Sequence, residues 1–109
     1  MTDAEFLDQY KATLEEIEGV VEDAIERDAE IDYESGNDML TLTFRSGTVA
    51  IISRQTAVHQ LWLAARSGGF HFDWDAAQEQ WVCTLNGQTL NDMLSEVCLE
   101  QGGLRIRFG

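Results

Sequence analysis

The chain has 109 residues, of which 44% are apolar and ten are aromatic (three Trp, two Tyr, five Phe), and its formal net charge is −13. That is the length of one domain, able to bury roughly two-thirds of its unfolded surface; the composition is too apolar for a disordered chain, and no apolar run nears the ~18 residues of a membrane span. The seven Lys and Arg are spread singly, so there is no basic patch for a nucleic acid and the partner implied by charge is positive.

Residues 1–34 hold thirteen carboxylates against Lys11 and Arg27, so this third of the chain carries −11 of the −13. It opens with neither a charged-then-apolar signal sequence nor an Arg-rich transit segment, which leads us to expect a cytoplasmic protein of bacterial type. Phe6, Tyr10, Leu14, Ile17, Val21 and Ala24 recur at steps of three and four, the spacing of an amphipathic helix. At about 100° per residue, Asp8, Glu15, Glu18, Glu22 and Glu26 share one arc away from that stripe, with Glu5, Glu16 and Asp23 beside them. The i,i+4 pairs Glu18/Glu22 and Glu22/Glu26 each cost roughly 0.2–0.5 kcal/mol, with no Lys between them.

After Arg27 the pattern becomes alternation. Glu30, Asp32 and Glu34 fall on one side of a strand and Ile31 and Tyr33 on the other, so the carboxylate ridge is expected to continue onto that strand. Three readings of the ridge are open: a solvated helix face, a site for hard cations that prefer oxygen ligands, or a docking surface for a basic protein.

A turn at Ser35–Asp38 leads to Met39–Phe44, where Leu40, Leu42 and Phe44 alternate with threonines as in a half-buried strand. Arg45–Gly47 turn the chain into a β-branched strand at Thr48–Ser53. Arg54 and Gln55 follow it, available to a partner or to the adjacent loop. A further strand is expected over Val58–Ala65, with Leu61 and Leu63 toward the core and Gln60 and Trp62 on the other side. Gly68 and Gly69 are expected to form a tight turn. Short strands follow at Phe70–Trp74 and Trp81–Thr84. Leu90, Met93, Leu94, Val97 and Cys98 restore helical spacing, between an N-cap at Thr89 or Asn91 and a stop at Gly102 or Gly103. Leu104–Phe108 forms a last strand or a packed tail. Helix, hairpin-linked strands, helix is an α+β order in one domain spanning 1–109, with both helices free to cover one face of an antiparallel sheet and the other face open to water.

No glycine-rich phosphate loop, nucleophile elbow or zinc-spaced His/Cys cluster occurs. Cys83 and Cys98, at apolar positions without C-x-x-C spacing, read as buried free thiols. His59 and His71 are each expected within a strand as packing or surface residues, and a Cys83/His71 nucleophile pair has no third group to orient it. Trp62, an indole on the open face beside Gln60, is the kind of aromatic that anchors protein interfaces.

Ser53-Arg54-Gln55-Thr56-Ala57-Val58-His59-Gln60-Leu61-Trp62-Leu63-Ala64, followed by Gly68-Gly69-Phe70-His71-Phe72, resembles the core motif of frataxins, N-R-Q-x-P-x-x-Q-x-W-L-A then G-G-x-H-F. The acidic first helix, Glu30-Ile31-Asp32, Leu40–Phe44 and the helix start at Thr89–Leu94 extend the likeness to bacterial frataxins over essentially the whole chain. Ser53 and Ala57 depart from the family's Asn and Pro, and both are expected in one loop before the Trp62 strand.

The resemblance implies a two-layer α/β sandwich, with two helices on a twisted antiparallel sheet, and a non-enzymatic role in iron–sulfur cluster assembly. It implies weak binding of Fe²⁺, with Fe³⁺ as a further candidate, at a ridge of Glu15, Glu18, Glu22, Asp23, Glu26, Glu30, Asp32 and Glu34; carboxylates scattered on an exposed ridge form no closed cage, so Co²⁺, Mn²⁺ and Ca²⁺ are expected to compete. It further implies docking on a cysteine desulfurase and its scaffold protein through Glu22, Asp23, Arg54, Gln60 and Trp62. The protein is expected as a monomer, with an iron-dependent oligomer as the alternative. A ferroxidase and an acidic nucleic-acid mimic are the competing functional readings.

Overall fold

The computed structural model describes residues 1–109. Helix α1 (Asp3–Glu26) starts at Thr2, whose hydroxyl accepts from the Glu5 N–H while the Glu5 carboxylate accepts from the Thr2 N–H. This reciprocal cap satisfies two orphan donors of the first turn. The predicted stripe is the buried one, with Phe6, Tyr10, Leu14, Ile17 and Val21 inside. Thr13 joins them because its hydroxyl donates to the Gln9 carbonyl at 2.8 Å and accepts from the Trp81 indole at 2.8 Å, which leaves no unpaired polar group in the core.

Six strands follow: β1 (Ile31–Gly36), β2 (Met39–Phe44), β3 (Val49–Gln55), β4 (Gln60–Ala65), β5 (Gly68–Asp75) and β6 (Gln80–Cys83). They form one sheet in chain order, each antiparallel to the next. Helix α2 (Leu90–Gly102) runs from a Thr89 N-cap to Gly103, which takes the left-handed conformation at φ 63°. Leu40, Leu42, Phe44, Ala50, Ile52, Leu61, Leu63, Phe72 and Trp81 bury one sheet face in a core shared with α1 and with Leu90, Met93, Leu94, Val97 and Cys98 of α2. The expected α+β sandwich, with both helices on one side of the sheet, is the fold observed.

Several expected boundaries move. The strand expected from Val58 starts at Gln60, because Thr56–Val58 form a 3₁₀ turn and His59 is left-handed at φ 51°. His59 is therefore outside any strand; it stacks on Phe6 and its Nε2 lies 2.6 Å from Asp3. Arg54 and Gln55 belong to β3, and Ser53 pairs across from Trp62 in the sheet, so Ser53 and Ala57 do not share a loop. Gly68 and Gly69 open β5, and the tight turn is Arg66–Ser67. The last strand is Gln80–Cys83, with Thr84 already outside it. Gly102 stays inside α2, where a Cβ would stand 2.7 Å from the Phe44 ring. Beyond Gly103 there is no strand: Leu104 and Ile106 pack partly buried and Phe108 is buried. Both cysteines are free and buried, and burial pushes the Cys98 thiol up to about 12.

One buried polar side chain ties the helix layer to two turns. The Gln101 Nε2 donates to the Thr48 hydroxyl at 3.0 Å and to the Val49 carbonyl at 3.1 Å, and its Oε1 accepts from the Arg66 N–H at 2.9 Å. Replacing it with leucine of similar size strands these groups, so Gln101→Leu is expected to cost about 2–3 kcal/mol. The loss reads as a lower urea midpoint at unchanged m-value.

Candidate functional site

α1 lies along the β1 edge of the sheet, with Tyr33 half-buried between them. The Tyr33 phenol is held above its usual pKa, first by hydrogen bonding to the Glu22 carboxylate, then by partial desolvation and by the charges of Glu22 and Glu18. Glu15, Glu22, Asp23 and Glu26 are exposed and Glu18 is half-buried. Strand alternation turns Ile31 and Tyr33 to the helix side, leaving Asp32 and Glu34 exposed on the open face, opposite Thr43 and Thr41. The ridge does continue onto β1, but it wraps round the edge strand instead of staying in one plane.

Of the eight expected metal residues, two are in salt bridges: Asp23 with Arg27 at 3.3 Å, and Glu30 with Arg45 at 3.4 Å. Glu15, Glu18, Glu22, Glu26, Asp32 and Glu34 form no salt bridge within 4 Å. No three carboxylate, imidazole or thiol groups converge into a ligand set. Such an oxygen-only, open arrangement suits hard cations that keep most of their waters, and it has no closed geometry with which to discriminate among them.

The open face carries the second candidate region. The Trp62 indole N–H donates to the Gln60 side-chain Oε1 at 3.1 Å, and the Gln60 Nε2 donates to the Asp73 carboxylate at 3.2 Å. The indole lies flat on His71, with ring centroids 4.2 Å apart and planes 8° from parallel. Trp62 is thus a braced, half-exposed platform. The two-residue turn pairs Ala65 with Gly68, and counting back along the hairpin puts Trp62 opposite His71; turn length was the signal that could have found this partner.

Arg54 is placed apart from that platform. In β3 it pairs with the buried Leu61, so it points to the helix side. There its guanidinium donates to Asp38 at 2.8 Å and to the Thr56 hydroxyl, while the Tyr10 hydroxyl donates to the Asp38 carbonyl. Gln60 and Trp62 meet on one face, Glu22 and Asp23 sit on the helix ridge, and Arg54 clamps the β1–β2 turn.

Two helices layered on one face of a six-stranded antiparallel sheet is the fold of a solved frataxin. The family model described as a frataxin-like domain matches residues 1–104, and the chain belongs to the frataxin family. It is 43% identical over 108 residues, 99% of this chain and 96% of the relative, to the iron–sulfur cluster assembly protein CyaY of Pseudomonas fluorescens. The protein of the same name from Azotobacter vinelandii is 41% identical over the same shares of each chain. Among solved structures, the frataxin of Psychromonas ingrahamii superposes with a TM-score of 0.89 at 31% identity, covering 100% of this chain and 99% of that one.

The hydrogen bond from Arg54, and then its charge, hold the Asp38 carboxyl below the usual carboxylate range. A lowered folded pKa means that the pair's stabilisation is complete above the unfolded carboxylate pKa and is lost as pH falls through the lowered value. Removing the guanidinium in Arg54→Met is therefore expected to return Asp38 to the usual range. An NMR titration of the Asp38 carboxyl carbon in the two proteins checks it.

Proposed function

We propose that this protein is a non-enzymatic adaptor of iron–sulfur cluster assembly, which takes up iron on its carboxylate ridge as a transient cargo or signal and docks on a cysteine desulfurase and its scaffold. The relatives' shared name supports the process. The observation that carries the mechanism is the uncompensated charge of α1: Glu18, Glu22 and Glu26 stand at i,i+4 with no ion pair. Repulsion along that row is relieved whenever a cation or a basic surface approaches.

Weak, hydrated binding follows from the open geometry, with Fe²⁺, Co²⁺, Mn²⁺ and Ca²⁺ competing for the same oxygens. The desulfurase would meet Glu22 and Asp23 on the ridge and Gln60 and Trp62 on the sheet. Arg54 would contribute indirectly, by fixing the β1–β2 turn through Asp38. A cation on the ridge neutralises charge that attracts the basic partner, so iron and desulfurase each change the other's affinity by the same factor. Against oxidative iron mineralisation stands the placement of the two imidazoles: His59 is engaged by Asp3 and Phe6, and His71 by Trp62. Neither reaches the ridge to complete the carboxylate–histidine set of a dinuclear centre.

Glu22→Lys separates function from folding. It converts two repulsive i,i+4 pairs into attractive ones, a swing of roughly 0.4–1 kcal/mol each, so stability is expected to rise by about 1–2 kcal/mol less what the Tyr33 contact at Glu22 contributes, while affinity for Mn²⁺ and for the desulfurase falls. Thermal unfolding and calorimetric titration read the two effects. A variant that is more stable yet binds both ligands as before overturns the proposal.

A further inference from the structure

The chain has six arginines. Arg27, Arg45 and Arg54 sit in salt bridges, and Arg66 donates to the Glu100 carbonyl. Arg105 and Arg107 make no salt bridge and no hydrogen bond, in a protein with twenty carboxylates. Exposure alternates along the tail: Leu104, Ile106 and Phe108 turn inward while Arg105 and Arg107 turn outward. In an extended segment, side chains at i and i+2 emerge on one side roughly 6.5 Å apart.

Beneath these two guanidinium groups is an apolar floor. Leu99 of α2 is 47% exposed, unusual for a leucine on a helix whose opposite side forms the core. It lines a cleft of about 270 Å³ together with Ser95, Ile106 and the two arginines. The clefts beside Trp81, at the end of α1 and at its start contain Glu16 and Glu79, Glu30 and Asp32, and Glu5 and Asp73 respectively. The cleft between α2 and the tail contains no carboxylate. Arg107 also borders a neighbouring cleft with Asp92, again without a salt bridge.

We propose that Leu99 and Ile106, rimmed by Arg105 and Arg107, form a docking site for an acidic amphipathic helix of a partner protein. The complementarity is specific in form. Arginine forks bind carboxylates in pairs of parallel hydrogen bonds, and carboxylates at i and i+4 of a helix stand about 6 Å apart, close to the spacing of the two arginines. An apolar side chain beside that pair would cover Leu99 and Ile106. Nucleic acid is a poorer occupant, because it offers no apolar side chain for the floor and its extended charge meets the rest of a strongly acidic protein. Repulsion of a short acidic helix by the ridge is local, being screened beyond about 8 Å at physiological ionic strength. The site lies apart from the proposed iron and desulfurase surfaces and does not depend on them.

The test is a backbone NMR titration of the whole protein with a blocked helical peptide of about 16 residues that carries Glu pairs at i,i+4 beside a Leu. The shifts expected are at Ser95, Leu99 and Arg105–Arg107. Arg105→Glu/Arg107→Glu, with unchanged thermal unfolding, is expected to weaken binding at least tenfold, and Leu99→Ser to weaken it severalfold. Glu22→Lys, which disables the ridge, is expected to leave these shifts in place. The proposal is overturned if the peptide moves no residue of the cleft, if the doubly reversed variant binds equally, or if inorganic pyrophosphate or single-stranded DNA displaces the peptide at comparable concentration.

Discussion

A single helix has to satisfy two incompatible demands: α1 must seat an apolar seam on the sheet while holding a row of like charges on its other side. The magnitudes decide that it can. Full burial of a side chain such as Phe6, Tyr10, Ile17 or Val21 contributes on the order of 1.5–3 kcal/mol, and each repulsive pair removes only a few tenths. Five such side chains outweigh the ridge several-fold, so the helix forms with most of its charges unneutralised. The structure keeps this arrangement at the β1 edge, where Tyr33 fills the join beside Glu22.

Sheet alternation then divides the remaining labour. Each strand sends its bulky residues to the helices and leaves a second face bare, and that face is not featureless. Asp32 and Glu34 carry the acid round the edge strand, while the Trp62–His71 stack and the Gln60 bridge fix an aromatic platform three strands further in. Rigidity matters there, because an aromatic side chain already held in place loses little conformational freedom when a partner covers it. Arg54, Asp38 and Tyr10 play a different part: they clamp the β1–β2 turn and so keep the edge strand in register with α1.

Legibility in the sequence followed physical periodicity. α1, β2 and the core side of β4 were readable because their apolar residues repeat at 3.6 or 2 with few exceptions, and the acidic ridge was readable because one helix arc held it. His59 was misplaced, since a left-handed residue after a 3₁₀ turn has no signature when it is not glycine. The face of Arg54 was missed for a related reason: once β3 is known to run through Gln55, parity sends Arg54 inward. Gln101 left a usable signal, because the spacing of Leu90, Leu94, Val97 and Cys98 continues onto it, and a polar residue at a core position of a helix announces a buried partner. The eight ridge carboxylates could be listed from sequence, but which of them are already paired depends on Arg27 and Arg45, whose reach no pattern reveals.

The central claim is that the ridge stores repulsion that a cation relieves. It is tested most directly by the thermal midpoint in Mn²⁺, compared with NaCl at matched ionic strength. Binding to the folded state raises that midpoint by mass action, so Tm should climb with both salts and distinctly more steeply with the divalent ion. A midpoint that responds identically to the two, or to neither, contradicts the account.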